Sequence, residues 1–285
     1  NKYPLAKQSI FSYAVFVFKM IDIIKNNKCP RRSMDRTSPS EGENAGSIPA
    51  GSTMQDKAWE REYRTKQMLS PSNVPHAEVV RFAKWFRKRR RKDNPEFDFD
   101  QISVLDLGSG TGRNAFYFAE RGARAVGYEV SPTALELARS YAKDTGLTID
   151  YRLQDIGAPF PLPDASIDIA LDVTSSNSLS DAARTTYLTE THRVLKPGGV
   201  LFVRALSKEG DRHAKELIER YRGEDEDSYI HPDLGIQEKT FTRQSFEQTY
   251  GPYFTTLELN RTEHYATVSG RTYKRQYWIA YLERK

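Results

Sequence analysis

One turn constrains the fold of this chain more than any other feature. An apolar run over residues 102–107, ending Val104-Leu105-Asp106-Leu107, meets three alternate glycines, Gly108, Gly110 and Gly112. Ser109 and Thr111 lie between them, and a helix-like stretch opens at Arg113. Glycine reaches backbone angles that are costly for other residues, and it leaves the main chain bare to a ligand. A buried parallel strand passes into a helix in this way, and the first helical amides then attract anionic or polar groups. Seventeen residues after the last glycine, behind a second apolar run, stands Glu129. An acid at that strand end is placed to accept hydrogen bonds from a ribose diol.

From Met54 onward, strand and helix patterns alternate, which predicts a parallel sheet covered on both faces. Helices are expected over 55–69 and 75–92, the second with a broad apolar face from Val79 to Phe86. Strands follow at 103–107, 125–129, 149–153, 167–172 and 200–204, with helices at 113–120, 131–143 and 181–195 between them. Ser131-Pro132 supply a cap and a first-turn proline, and Gly146 a stop. A helix at 211–222, an acidic loop, a short helix at 242–250 and strands at 254–259 and 273–282 complete the reading, with a turn around Gly270.

The glycine spacing is G-x-G-x-G, whereas dinucleotide enzymes use G-x-G-x-x-G. An NAD-dependent dehydrogenase is therefore the dissenting cofactor reading. With Asp106 before it, the turn resembles motif I of the class I S-adenosylmethionine (SAM) dependent methyltransferases. The segment Leu153-Gln154-Asp155-Ile156 and the prolines after it resemble that family's adenine-binding turn leading to its fourth strand. Arg193-Val194-Leu195-Lys196-Pro197-Gly198-Gly199 resembles its turn into strand five. The likeness covers about residues 58–285 and lies nearest the small-molecule, type 11-like branch.

This resemblance implies an α/β, Rossmann-like, doubly wound sheet of seven mostly parallel strands whose last strand is antiparallel. It also implies a division into a helical cap at 54–100, a SAM-binding core at 101–206, and a substrate-side insertion with the last two strands at 207–285. Carried over residue by residue, Gly108, Ser109, Gly110 and Gly112 bracket the amino-acid part of SAM. Asp106 orients the loop or meets the methionine amine. Glu129 binds the ribose with Val130 packed on adenine, Asp155 and Ile156 face the adenine edge, and Asp172 and Val173 approach the methionine. The product is S-adenosylhomocysteine.

Methyl transfer needs alignment and exclusion of water more than acid–base machinery, because the donor itself carries the reactivity. No catalytic residue is assigned. The candidates for a base, should the acceptor need one, are Asp172, His231, His264 and Tyr229, each with an equally good structural role. The strand-four loop reads Val173-Thr174-Ser175-Ser176-Asn177 and lacks the Asp/Asn-Pro-Pro-Tyr pattern of enzymes that methylate DNA amino groups. Trp59, Tyr63, Tyr229 and His231 are candidates to cover the substrate, or else to pack as an apolar edge, the better fit for Trp59. The expected acceptor is a polar small molecule. RNA or protein docking through Arg87–Lys92, and a non-catalytic SAM-binding role, stay open as alternatives.

Composition supports only part of this. The chain of 285 residues carries a net charge of +5, but residues 1–53 hold eight Lys/Arg against four Asp/Glu, so the rest is nearly neutral. A single cysteine, Cys29, allows no disulfide within one chain and no cysteine metal site, and no metal is expected. The longest apolar stretch, 10–18, is too short to span a bilayer. A cytoplasmic enzyme is the simplest fit. Residues 30–53 lack apolar periodicity and read as a disordered leader. Gly46-Ser47-Ile48-Pro49 also fits translation of a transfer-RNA T-arm, so the leader is expected to be translated upstream DNA, with the natural start at Met54. Oligomeric state is not legible.

Overall fold

The computed structural model describes residues 53–65, 72–268 and 271–285. The expectations for the leader, for 66–69 and for the Gly270 turn lie outside the described residues. Two helices come first, α1 (Met54–Thr65) and α2 (Ala77–Arg90). The core then alternates β1 (Ser103–Leu107), α3 (Arg113–Ala119), β2 (Arg124–Glu129), α4 (Pro132–Asp144), β3 (Asp150–Leu153), β4 (Ile167–Val173), α5 (Asp181–Val194) and β5 (Leu195–Leu206). After it come α6 (Arg212–Arg220), β6 (Ser228–Ile230), β7 (Gln237–Lys239), α7 (Arg243–Tyr250), β8 (Phe254–Val268) and β9 (Arg271–Arg284).

Seven strands form one sheet in the order β3-β2-β1-β4-β5-β9-β8. The first five are parallel, and β9 runs antiparallel to both β5 and β8. All five residues of β1 are buried, as expected for a parallel strand covered on both faces. On one face Leu105, Leu107, Leu201 and Val203 pack against Tyr187 of α5 and Phe246 of α7. On the other, Ile169, Leu171, Phe202 and Tyr281 meet Phe82 and Phe86 of α2 and Phe118 of α3. The chain crosses from one face to the other between β1 and β4, and the crevice beyond their carboxyl ends is where open sheets of this kind hold ligands.

The predicted caps form. Ser131 accepts from the Ala134 amide at 3.1 Å, and Thr242 and Ser245 make a reciprocal box at the start of α7. Three features depart from the sequence expectation. Strand β5 starts at Leu195 rather than Val200, because Leu195 pairs with Ile167 and the Lys196–Gly199 stretch is accommodated as an irregularity in the register. The β6–β7 hairpin has no counterpart in the sequence expectation, since each of its strands has only three residues. Strands β8 and β9 extend well past their apolar parts. Beyond the Leu206–Tyr277 pair they continue as a two-stranded ribbon on the ligand side of the sheet, where no apolar alternation is required.

A buried ionic cluster fixes the 207–241 insertion to β9. Asp211, fully buried, accepts from the Ala214 amide at 2.8 Å, from Arg275 Nε at 2.9 Å and from the Gln276 amide at 3.0 Å. Arg275 also donates to the Tyr229 hydroxyl at 3.2 Å, and that hydroxyl donates to Glu238. Removing one partner of such a pair leaves a buried charge alone. Arg275→Met is therefore expected to cost about 3 kcal/mol of folding stability, read from urea unfolding midpoints.

Candidate functional site

The glycine turn closes over the carboxyl end of β1. Gly108, Gly110 and Gly112 all have positive φ, between 55° and 85°. A side chain at each would also collide with a neighbour: Ser175 at Gly108, Tyr63 at Gly110 and Tyr151 at Gly112. Glu129 holds the turn from the end of β2. One carboxylate oxygen accepts from the Gly110 amide at 2.9 Å, and the other accepts from the Val130 and Ser131 amides, each at 2.9 Å. Burial pushes its carboxyl above the usual range against the pull of those three amides.

A cavity of about 340 Å³ opens beside this turn. Gly108, Ser109, Gly110, Glu129, Val130, Asp155, Ile156 and Val173, all named from the sequence, line it. Asp155 accepts from the Gly157 amide at 2.7 Å, which sets the turn after β3. Trp59 and Tyr63 of α1 form a wall with Gln55 and Asp56. Trp59 takes both roles weighed for it, because it also packs beside Ala58, Leu234 and Ile236. Glu60 ties α1 down. Its carboxylate accepts from Ser131 Oγ at 2.6 Å, Thr133 Oγ1 at 2.6 Å and the Thr133 amide at 3.1 Å.

Several candidates fall elsewhere. Gly112 shapes the turn from behind the cavity, against Tyr151. Asp106 lies beneath it, 1 % exposed, and accepts from the Ala115 amide at 3.1 Å; it orients the loop. Asp172 is fully buried and saturated, accepting from the Ser175 and Ser176 amides at 2.9 and 3.2 Å and from the Tyr187 hydroxyl at 2.8 Å. It anchors the loop after β4 and does not reach the cavity. Tyr229 belongs to the Arg275 cluster, and His231 Nδ1 accepts from the Asp233 amide at 3.3 Å. His264 is exposed on β8. None of the four candidate bases lines the cavity.

Sequence reasoning passed over Arg113, Asn114, Thr174, Ser175 and Ser178, which also line it. The signal for Arg113 was its place directly after the last glycine, at the first residue of α3. Thr174 carries a φ of 67°, unusual for a β-branched residue, and so turns the chain abruptly at the cavity mouth. The Arg87–Lys92 run sits at the far end of α2, about 20 Å from its His76 cap. Arg89 there pairs with Glu283 at 2.6 Å, opposite Val200 in β5. The basic run thus faces away from the cavity.

Residues 104–199 match the family described as "Methyltransferase domain". Over 180 residues the chain is 28 % identical to a ubiquinone biosynthesis O-methyltransferase of Cereibacter sphaeroides, covering 53 % of this chain and 72 % of that one. A 2-heptyl-1-hydroxyquinolin-4(1H)-one methyltransferase of Mycobacteroides abscessus is 36 % identical over 106 residues, 37 % of this chain and 46 % of that one. The fold matches the crystal structure of a SAM-dependent methyltransferase from Methanosarcina mazei with a TM-score of 0.55 at 21 % identity, over 64 % of this chain and 92 % of that one. Residues 104–199 thus form a methyltransferase domain, and the findings together support a class I SAM-dependent methyltransferase. The cavity suits such a donor: its glycines leave no room for side chains, and the buried hydroxyls of Ser109 and Ser178 have no partner among the described residues. Among those residues no cluster of three or more metal-ligating side chains occurs, and no helix is long and apolar enough to cross a membrane.

Burial pushes the Asp106 carboxyl up to about 7, overriding the Ala115 amide and the Arg113 charge. Unfolded, the same acid ionises near its ordinary 3.8. Between those values the folded state binds the extra proton, so stability falls as pH rises. Asp106→Asn keeps an acceptor for Ala115. It is expected to flatten the pH 4–7 stability profile by up to about 1.4 kcal/mol per pH unit, measured by urea unfolding of both proteins across that range.

Proposed function

We propose that this enzyme transfers a methyl group from SAM to an oxygen of a polar small molecule, in line with the breaking bond, and that it acts in the cytoplasm. The observation that carries the donor site is the convergence of Gly108, Gly110, Glu129, Asp155 and Ile156 on one cavity. In this reading Glu129 receives a ribose hydroxyl on the one lone-pair site of Oε2 that its three amides leave free. Val130 and Ile156 sandwich the adenine, and Asp155 takes its amino group. Arg113 is the one cation among the described lining residues and pairs with the methionine carboxylate. Ser109 and Ser178 complete the polar contacts.

Bound SAM supplies a methyl group on a sulfonium with a neutral leaving group. The protein's part is placement. The Thr174–Ser175 turn, fixed by Asp172, forms the acceptor side, while Trp59 and Tyr63 close the cavity against water. The O-methyltransferase relative supports an oxygen acceptor. The position of Arg87–Lys92, remote from the cavity, weighs against docking a large nucleic acid there. The 54–100 cap serves as roof through Trp59 and Tyr63, and the 101–206 core supplies the donor site and the acceptor side.

Glu129→Ala is expected to weaken SAM binding on the order of 100-fold, about 2.7 kcal/mol, in titration calorimetry, with the far-ultraviolet spectrum unchanged. Undiminished affinity, or equal binding of NAD, would remove the donor assignment.

A further inference from the structure

A buried cation behind the acceptor side of the cavity, not itself among the lining residues, has no ion pair with a described residue. Arg204 lies in β5 opposite Val173, and its carbonyl accepts from the Thr174 amide at 2.8 Å. Both Val173 and Thr174 line the cavity. The Arg204 side chain is 9 % exposed and stacks on Tyr277, with the guanidinium carbon 3.4 Å from the ring centroid. It forms no ion pair with a described residue. The carboxylate that acts on it from nearby, Glu78, is held by Arg81 at 2.7 Å. A second cation, Arg113, acts on it from the cavity wall, and Arg113 too has no ion pair among the described residues. Between them stands His76, which caps α2 and donates its amide to Asn114 at 3.0 Å. Burial and the two arginines drive its imidazole down to about 3, so it is neutral and cannot balance anything.

Isolated buried charge is costly unless something neutralises it. The opposite end of the cavity has the reverse character. Its carboxylates, Asp56, Glu129 and Asp155, gather at the donor side, where Asp56 and Asp155 lie close enough to act on each other. Among the described lining residues no imidazole or carboxylate stands near Val173–Ser175 to take a proton.

We propose that Arg204, stacked on Tyr277, forms a subsite for an acceptor that carries a negatively charged oxygen, a carboxylate or an ionised hydroxyl, and that this oxygen is the nucleophile, while Arg113 stays with the donor's carboxylate. The inference rests on the methyl-transfer reading above and adds the charge of its substrate. The oxygen forms the new O–C bond as the S–C bond breaks. The electron pair stays on sulfur, the anion and the sulfonium charge cancel, and no proton moves. Arg204 holds the acceptor ionised and aligned, which replaces a general base.

The test uses a metabolite extract split on an anion-exchange resin at pH 8, with S-adenosylhomocysteine release measured for each fraction by mass spectrometry. Release is expected from the retained, anionic fraction. Arg204→Gln is expected to lower the rate at limiting acceptor about 30-fold, with SAM affinity by calorimetry within about twofold of the parent. Arg204→Lys keeps the charge but not the stack, and should recover part of the loss by lowering KM. Release from the unretained fraction alone, or an Arg204→Gln enzyme of full activity, would overturn the anionic subsite while leaving methyl transfer intact. Absence of release from every fraction would overturn the methyl-transfer reading itself. If Arg204→Gln loses SAM binding, the KM of Arg204→Lys for the retained fraction decides, and an unchanged value rejects the subsite.

Discussion

Three backbone amides converge on the carboxylate of Glu129, and the donor side of the molecule depends on that convergence. The Gly110 amide belongs to the turn after β1, while those of Val130 and Ser131 lead from β2 into α4. One side chain thus fixes two neighbouring strand ends against each other at the point where ligands enter an open sheet. The glycines make the arrangement possible, because Ser175, Tyr63 and Tyr151 occupy the space that side chains there would need. The acid is buried and would be strongly disfavoured without those donors.

The parallel half of the fold was legible because both faces of each strand are covered, so apolar runs, caps and glycine stops all point the same way. Residues 103–107 and 132–144 follow their sequence signals nearly to the residue. The β8–β9 ribbon was not legible past Leu259, because the β8 residues from Asn260 to Tyr265 are largely exposed and carry no apolar rhythm. For the site, the residues that touch the cavity through backbone geometry or a strand-end position were readable. Those that act through tertiary hydrogen bonds were not. Asp172 reads as a reactive strand-end acid, yet its lone pairs go to the loop it supports. Glu60, in a polar helix with little pattern, gave no hint of its bonds to residues more than seventy positions away.

The cavity is electrostatically polarised along its length. Asp56, Glu129 and Asp155 lie on the side proposed for the adenosine half of a donor, and the one cation among the described lining residues, Arg113, lies on the side proposed for its methionine. A sulfonium placed between them sits in a field that favours charge cancellation on transfer, with hydrogen-bonded hydroxyls and amides rather than titrating side chains setting the alignment.

Ser131 occupies an unusual position among these contacts. Its amide donates to Glu129 on the cavity floor, and its hydroxyl donates to Glu60 on the helix that carries Trp59 and Tyr63. Roof and floor therefore share one residue. A displacement of α1 would reach Glu129 through one serine, which couples the helix that walls the cavity to the acid at its floor.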